Sequence, residues 1–222
     1  MKKIILNISS LILLGLIMQK GGAYIVNAAV NYLEEAQSLS AAADMAKNYS
    51  AYMETMRAIE PRQFVHIMFV APLVEEIVFR LIFLRASKMI MPFWAANLVQ
   101  STLFAIYHTV AMQRIYAFIL GLMIGCVFHY CPMIYKNSKK EKKGGLHDMP
   151  DCLIGTGITF ILHVVINSAG LLLAPHLPAD IRYSLQFAVG SVLLVIAAAV
   201  CVLLSYQTKR LLYQCPSQQE AP

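Results

Sequence analysis

Charge is what this chain has least of. Only 14% of its 222 residues are Asp, Glu, Lys or Arg, against 59% hydrophobic, a balance outside the range of soluble globular domains. The net charge of +6 does not make it a nucleic-acid binder. Its basic residues stand beside apolar runs instead of being interleaved with exposed aromatics, so they read as topology signals. The five cysteines, Cys126, Cys131, Cys152, Cys201 and Cys215, form no CxxC pair, and four of them lie in or at the ends of apolar runs. That excludes a zinc knuckle and a disulfide framework. Internal repeats, low-complexity tracts and an HExxH motif are also missing.

What is present is length of apolar sequence. A hydrocarbon core of about 30 Å takes roughly 20 apolar residues in a helix. The sequence supplies candidate spans at 4–32, 63–86, 90–112, 114–135, 152–174 and 183–206. The expected fold is therefore all-α: a polytopic membrane protein of about six transmembrane helices with a buried polar site in its core helices. Three regions follow. Residues 1–62 hold a first helix and an amphipathic extracytoplasmic segment, 63–174 a membrane core, and 175–222 a last helix with a cytoplasmic tail. Gln19, Lys20, Gly21 and Gly22 interrupt the first span, which reads either as one long kinked helix or as a shorter span with an interfacial extension. The opening MKK and apolar run imitate a signal peptide, but no small-x-small site precedes the apolar Ala23 to Val30 stretch, so an uncleaved anchor is expected.

Threading the spans alternately puts eleven Lys and Arg on one side, including Lys2, Lys3, Arg85, Lys88 and the run from Lys136 to Lys143, against five on the other. By the positive-inside rule both termini are cytoplasmic and the protein is a multi-pass resident of the cell membrane. The N-terminal features suggest a bacterial one.

Against this background the stretch VEEIVFR, Val74 to Arg80, is anomalous. A charged side chain at a bilayer centre costs about 2.5–3.5 kcal/mol on insertion scales, so intramembrane charges are functional candidates. Glu76 and Arg80 are i and i+4 with the acid first, the favourable order for an ion pair. Glu75 is rotated by about 100° from Glu76 and is left unexplained by that pair. FAIYH places Phe104 and His108 one helical turn apart, and HVVIN does the same for His163 and Asn167. Counted from the basic helix ends, Glu75 lies about 15 Å deep and the two histidines about 20 Å deep, so one buried polar centre is within reach.

A carboxylate beside a histidine in a water-poor pocket activates water, and a second histidine with a carboxamide stabilises the oxyanion formed when water attacks an amide. No cysteine is placed as a nucleophile. The same residue types suit a zinc site with Glu75, His108 and His163 as ligands and water as the fourth. They also suit a proton-coupled carrier, although the chain shows no paired broken helices. The remaining candidates read structurally. His66, His129, His147 and His176 stand apart from the set, Gly121 and Gly125 form a GxxxG packing face, Asn97, Gln100 and Ser101 either line a cavity or bond between helices, and Trp94 and Tyr116 are interface anchors.

EExxxR at Glu75 to Arg80, FxxxH at Phe104 to His108 and HxxxN at His163 to Asn167, in this order on apolar spans, resemble the CPBP family, the CAAX-processing and bacteriocin-processing (Abi) intramembrane proteases. The resemblance covers about Ile67 to Gly170. It implies an endopeptidase in which Glu75 and His108 activate water, His163 and Asn167 stabilise the oxyanion, and Glu76, Arg80 and Phe104 support them. The family has carried both metalloprotease and glutamate-protease labels, so the resemblance implies either no cofactor or Zn2+. A membrane-associated protein or small peptide is the expected substrate, with the lipid bilayer as surroundings and no nucleic-acid partner. A prenyl group is not expected on it. A bacteriocin-immunity role without catalysis is the alternative within the same family.

Overall fold

The computed structural model describes residues 2–36, 40–135, 149–173 and 183–213. His147, His176, Cys215 and the lysine run from Lys136 to Lys143 lie outside the described residues. Seven helices are described: α1 (Lys2–Ala36), α2 (Ser40–Arg57), α3 (61–87), α4 (Phe93–Tyr107), α5 (Ala111–Tyr135), α6 (Met149–Leu173) and α7 (Tyr183–Tyr213). No strand occurs among the described residues. The chain is a helical membrane protein, as its composition requires.

Among the described residues four segments are long and apolar enough to cross a membrane: Ser9–Leu33, Ala111–Pro132, Met149–Gly170 and Ser184–Leu203. The two other expected spans are helical but fall short of that standard, so a count of six is not established. α4 is 15 residues, about 22 Å at 1.5 Å per residue, less than the hydrocarbon thickness. α3 carries Glu75, Glu76 and Arg80 and changes its hydrogen-bond register twice, with π-type bonding over His66–Val70 and Glu76–Leu84. Its inner and outer faces invert the soluble pattern. Met68, Pro72, Glu76, Phe79, Arg80 and Leu84 are buried, whereas Phe69, Leu73, Ile82 and Phe83 are exposed, which is how a helix faces lipid outside and a polar centre inside.

The principal core forms where α1, α5, α6 and α7 meet, around Met18, Ile124, Val127, Leu162, Ile166 and Ala197. Glycine sets how closely these helices approach. A Cβ on Gly190 would come within 2.8 Å of the Gly21 carbonyl, and one on Gly21 within 3.1 Å of Leu193 and Leu194. The Gln19 to Gly22 interruption is thus a packing surface inside one continuous α1. Gly121 and Gly125 do pack against α4, as their spacing suggests: a Cβ at 121 would meet Ser101 at 3.1 Å, and one at 125 would run into the Asn97 carboxamide. Asn97, Gln100 and Ser101 turn out to be interhelical or intrahelical glue. Asn97 Nδ2 donates to the Leu122 carbonyl at 2.9 Å, Gln100 Nε2 to that of Gly121 at 3.0 Å, and Ser101 Oγ to that of Asn97 at 2.7 Å. At the other end of α3, Lys88 Nζ lies 3.0 Å from His129 Nδ1, and the His129 ring stacks on Phe93.

Gly125→Ala should cost about 1–3 kcal/mol by overpacking, read as a lower unfolding midpoint in detergent. Gly157 sits on the same kind of helix with open space around it, so Gly157→Ala should leave the midpoint unchanged or raise it by the equivalent of about 1 kcal/mol. Equal effects from the two substitutions would contradict close packing at Gly125.

Candidate active site

The site begins with a proline. Pro72 has no N–H, and it stands five residues beyond Ile67, so in the π register of this turn the donor it lacks is the one that would reach the Ile67 carbonyl. Asn167 Nδ2 from α6 donates to that carbonyl at 3.0 Å. This bond fixes α6 against α3. It also presents His163, one turn back along α6, to the two glutamates.

His163 lies between them. Its Nδ1 is 2.8 Å from Glu76 Oε1 and its Nε2 is 3.5 Å from Glu75 Oε2. A carboxylate only accepts, so Nδ1 carries a proton donated to Glu76. Glu76 is fully buried and also faces Arg80, whose Nη1 is 3.3 Å from the same Oε1. The i, i+4 ion pair read from the sequence is therefore present, with an addition: Glu76 also orients a histidine. Arg80 is fully buried too, and its guanidinium lies 4.5 Å above the Phe104 ring, a cation–π contact that offsets part of its desolvation.

Phe104 joins the two histidines. Its ring meets His108 edge-on at 4.9 Å and His163 edge-on at 6.1 Å, with Phe79 packed on it at 5.1 Å. His108 differs from the sequence expectation. α4 stops at Tyr107, and His108 caps it in extended backbone (φ −78°, ψ 136°), so it is not on the helical face shared with Phe104. Its ring still folds back, because Nδ1 lies 2.8 Å from the Phe104 carbonyl. A carbonyl only accepts, which puts the proton on Nδ1 and leaves the Nε2 lone pair available. Arg114 holds this turn by donating Nε to the His108 carbonyl at 2.7 Å. Arg114 stands outside the motifs read from the sequence.

Glu75, His108, His163 and Asn167 all face one cavity of about 750 Å³, within the usual range of ligand sites. Glu75 is the only slightly exposed acid of the pair, its side chain 12% accessible where that of Glu76 is sealed. The opposite walls come from α1, through Gln19, Asn27 and Asn31, and from α2, through Tyr49 and Tyr52. Burial, and secondarily Tyr52, pushes the Tyr49 phenol up to about 12. Tyr116 also lines the cavity. It bonds to Gln19 and packs on Gly22, so it is an internal residue and not the interface anchor its position suggested. The signal for the α1 wall was legible: Gln19, Ala23, Asn27 and Asn31 recur every four residues. His66 is exposed on α3 and outside this cavity.

The residues were also tested as a metal set. Among the described residues no group of three His, Cys, Asp or Glu side chains is arranged to hold a metal ion. Glu75 and His163 approach each other at 3.5 Å, while His108 donates Nδ1–H to a backbone carbonyl and has Nε2 as its free ring nitrogen.

Residues 59–136 match the family described as Type II CAAX prenyl endopeptidase Rce1-like. This bears out the resemblance carried by the motifs. The matched stretch is about a third of the chain and contains the EExxxR and FxxxH motifs, while His163 and Asn167 lie beyond it. The fold, through the Asn167 and His163 contacts, joins that third motif to the matched segment. No curated protein and no solved structure matches the chain. The Rce1-like match supports an intramembrane endopeptidase in general terms.

The buried ion pair gives a stability prediction. Arg80→Met strands the Glu76 charge, and breaking one side of a buried pair costs on the order of 3–5 kcal/mol. Thermal unfolding followed by the fluorescence of Trp94 should show a large drop for Arg80→Met and partial recovery in the Glu76→Gln, Arg80→Met double variant. An unchanged midpoint in the single variant would show that the pair does not hold α3.

Proposed function

We propose that the protein is an intramembrane endopeptidase that hydrolyses a peptide bond of a membrane-associated protein or small peptide, using water activated by Glu75. The observation that carries this reading is a partly accessible carboxylate on the wall of a 750 Å³ cavity, with His163 Nε2 at 3.5 Å and His108 on the same wall. Water held between Glu75 and the His108 Nε2 lone pair loses a proton to Glu75 as its oxygen attacks the carbonyl carbon. The resulting oxyanion is met by donors from α6. Glu76 and Arg80 balance one another, and His163, held by Glu76 through Nδ1, turns its Nε2 toward Glu75 and the cavity, where with a proton it donates to the oxyanion. Asn167 gives one amide hydrogen to Ile67 and keeps a second for the oxyanion. Glu75 then passes its proton to the leaving nitrogen. The C–N bond breaks, and an amine and a carboxylic acid separate.

In this reading Glu76, Arg80 and Phe104 position the histidines, and the chain requires no cofactor. The same reading has the chain in the cell membrane with both termini cytoplasmic.

Glu75→Gln and His108→Ala should each lower peptide cleavage by about 10²–10⁴-fold while the protein stays folded in detergent. Retained cleavage in both variants would overturn the mechanism. The cofactor question has its own measurement. Elemental analysis of active protein should find less than stoichiometric zinc, and cleavage should survive dialysis against a chelator; stoichiometric zinc with chelator-sensitive cleavage would transfer the reaction to a metal.

A further inference from the structure

The wall opposite the catalytic groups is built by α1, which lies outside the segment matched to the Rce1-like family. The cavity-facing residues of α1 recur at three- and four-residue steps from Gln19 to Asn31, which is one face of a helix. Three of them, Gln19, Asn27 and Asn31, carry carboxamides. Gln19 is engaged by Tyr116, and Asn31 Nδ2 reaches Gln186 Oε1 only at 3.5 Å. Asn27 is half-buried on the cavity wall and has no hydrogen-bond partner among the described residues.

A carboxamide on an otherwise apolar helix face is costly to bury unless something pairs with it. An isoprenoid or acyl chain offers no hydrogen-bond donor or acceptor and would leave Asn27 desolvated and unpaired. An extended peptide offers one N–H and one C=O per residue, the complement of a carboxamide that both donates and accepts. The lengths agree: twelve residues of helix from Gln19 to Asn31 rise about 18 Å, the span of about five extended residues. The α2 side adds the aromatic rings of Tyr49 and Tyr52, surfaces that pack against side chains at low entropic cost. Among the described lining residues there is no lysine or arginine to pair with a terminal carboxylate.

We propose that the α1 carboxamide face, with Asn27 at its centre, is the binding wall for the backbone of an extended, unlipidated peptide segment, and that Asn27 is a specificity-determining residue. This rests on the endopeptidase reading and names its substrate class: an internal stretch of about five residues held by its backbone, not a prenylated C-terminus.

The experiment uses the full chain in nanodiscs. Binding is read on the Glu75→Gln protein by fluorescence anisotropy, with a pool of fluorescein-labelled, C-terminally amidated hexapeptides in one arm and a fluorescent farnesyl-cysteine methyl ester in the other. Hexapeptides should bind better than the farnesyl probe. Adding Asn27→Ala should weaken the tightest hexapeptide by about three- to tenfold, the worth of one net hydrogen bond, and Asn27→Gln should restore part of the loss. In otherwise wild-type protein, Asn27→Ala should raise KM and leave kcat nearly unchanged, the signature of lost uniform binding. A walk of single backbone esters along the peptide, measured on the Glu75→Gln protein without any change at Asn27, should find one sensitive amide, and that sensitivity should vanish in Asn27→Ala. Preference for the farnesyl probe, equal affinity with and without Asn27, or an ester walk with no sensitive position would overturn the inference. Should peptides bind in an Asn27-dependent way while Glu75→Gln cleaves normally, the catalytic assignment fails instead of the binding wall.

Discussion

Everything at the centre of this molecule depends on the buried contact between Glu76 and Arg80. Neither side chain has access to water, and in a low-dielectric interior an unpaired charge of either sign is costlier than most single packing contacts can offset. Pairing them at i and i+4 allows α3 to sit in the bundle with its charged face inward and its apolar face outward. The pair also limits what else the centre can do. With Arg80 committed to Glu76 and to the face of Phe104, Glu75 is the one of the two adjacent carboxylates that reaches the cavity, and His163 lies between the two acids.

The second constraint is a backbone one. A regular α-helix through Pro72 would leave a carbonyl without its donor. Shifting to π-type bonding moves that orphan to Ile67, where Asn167 answers it. A side-chain bond that repairs α3 therefore also sets the register between α3 and α6, and with it the His163 contacts to Glu75 and Glu76. Helices at functional sites often carry such π-turns. Here the turn supplies the attachment point for the partner helix. Arg114 performs a comparable repair on the far side, holding the carbonyl of His108 where α4 has already ended.

These devices explain which features were legible in sequence. The Glu76 and Arg80 pair follows from spacing alone, as does the GxxxG contact of α5, because both are properties of one helix surface. Glu75, His108, His163 and Asn167 were singled out as polar residues stranded in apolar runs, and the fold does gather them around one cavity. What the sequence could not convey was pairing between helices. Glu76 is closer to His163 than Glu75 is, a choice made by the Asn167 anchor and not by any local pattern. The end of α4 at Tyr107 was missed because the apolar run continues past it. The α1 interruption read as a possible kink because glycine and polar residues weaken a lone helix, whereas against α7 and Tyr116 they are what allows close contact.

The division of labour between α3 and α1 carries a wider point about this architecture. The groups proposed for catalysis sit on helices held by buried charge, a π-turn repair and close glycine packing, so their geometry tolerates little change. α1 and α2 face them across the cavity through carboxamides and phenols that contribute little to the core contacts of α3. Changing Asn27 or Tyr52 alters what the cavity recognises without disturbing Glu76 and Arg80. A site built this way separates the chemistry, fixed by the cost of burying charge, from recognition, which rests on side chains able to vary at small cost in stability. The Rce1-like match covers α3, α4 and α5, so it includes Glu75 and His108 and leaves out α1 and α2 as well as His163 and Asn167 on α6. On the proposed reading, specificity resides in the wall opposite the reacting groups, where a half-buried carboxamide with no hydrogen-bond partner among the described residues faces the cavity.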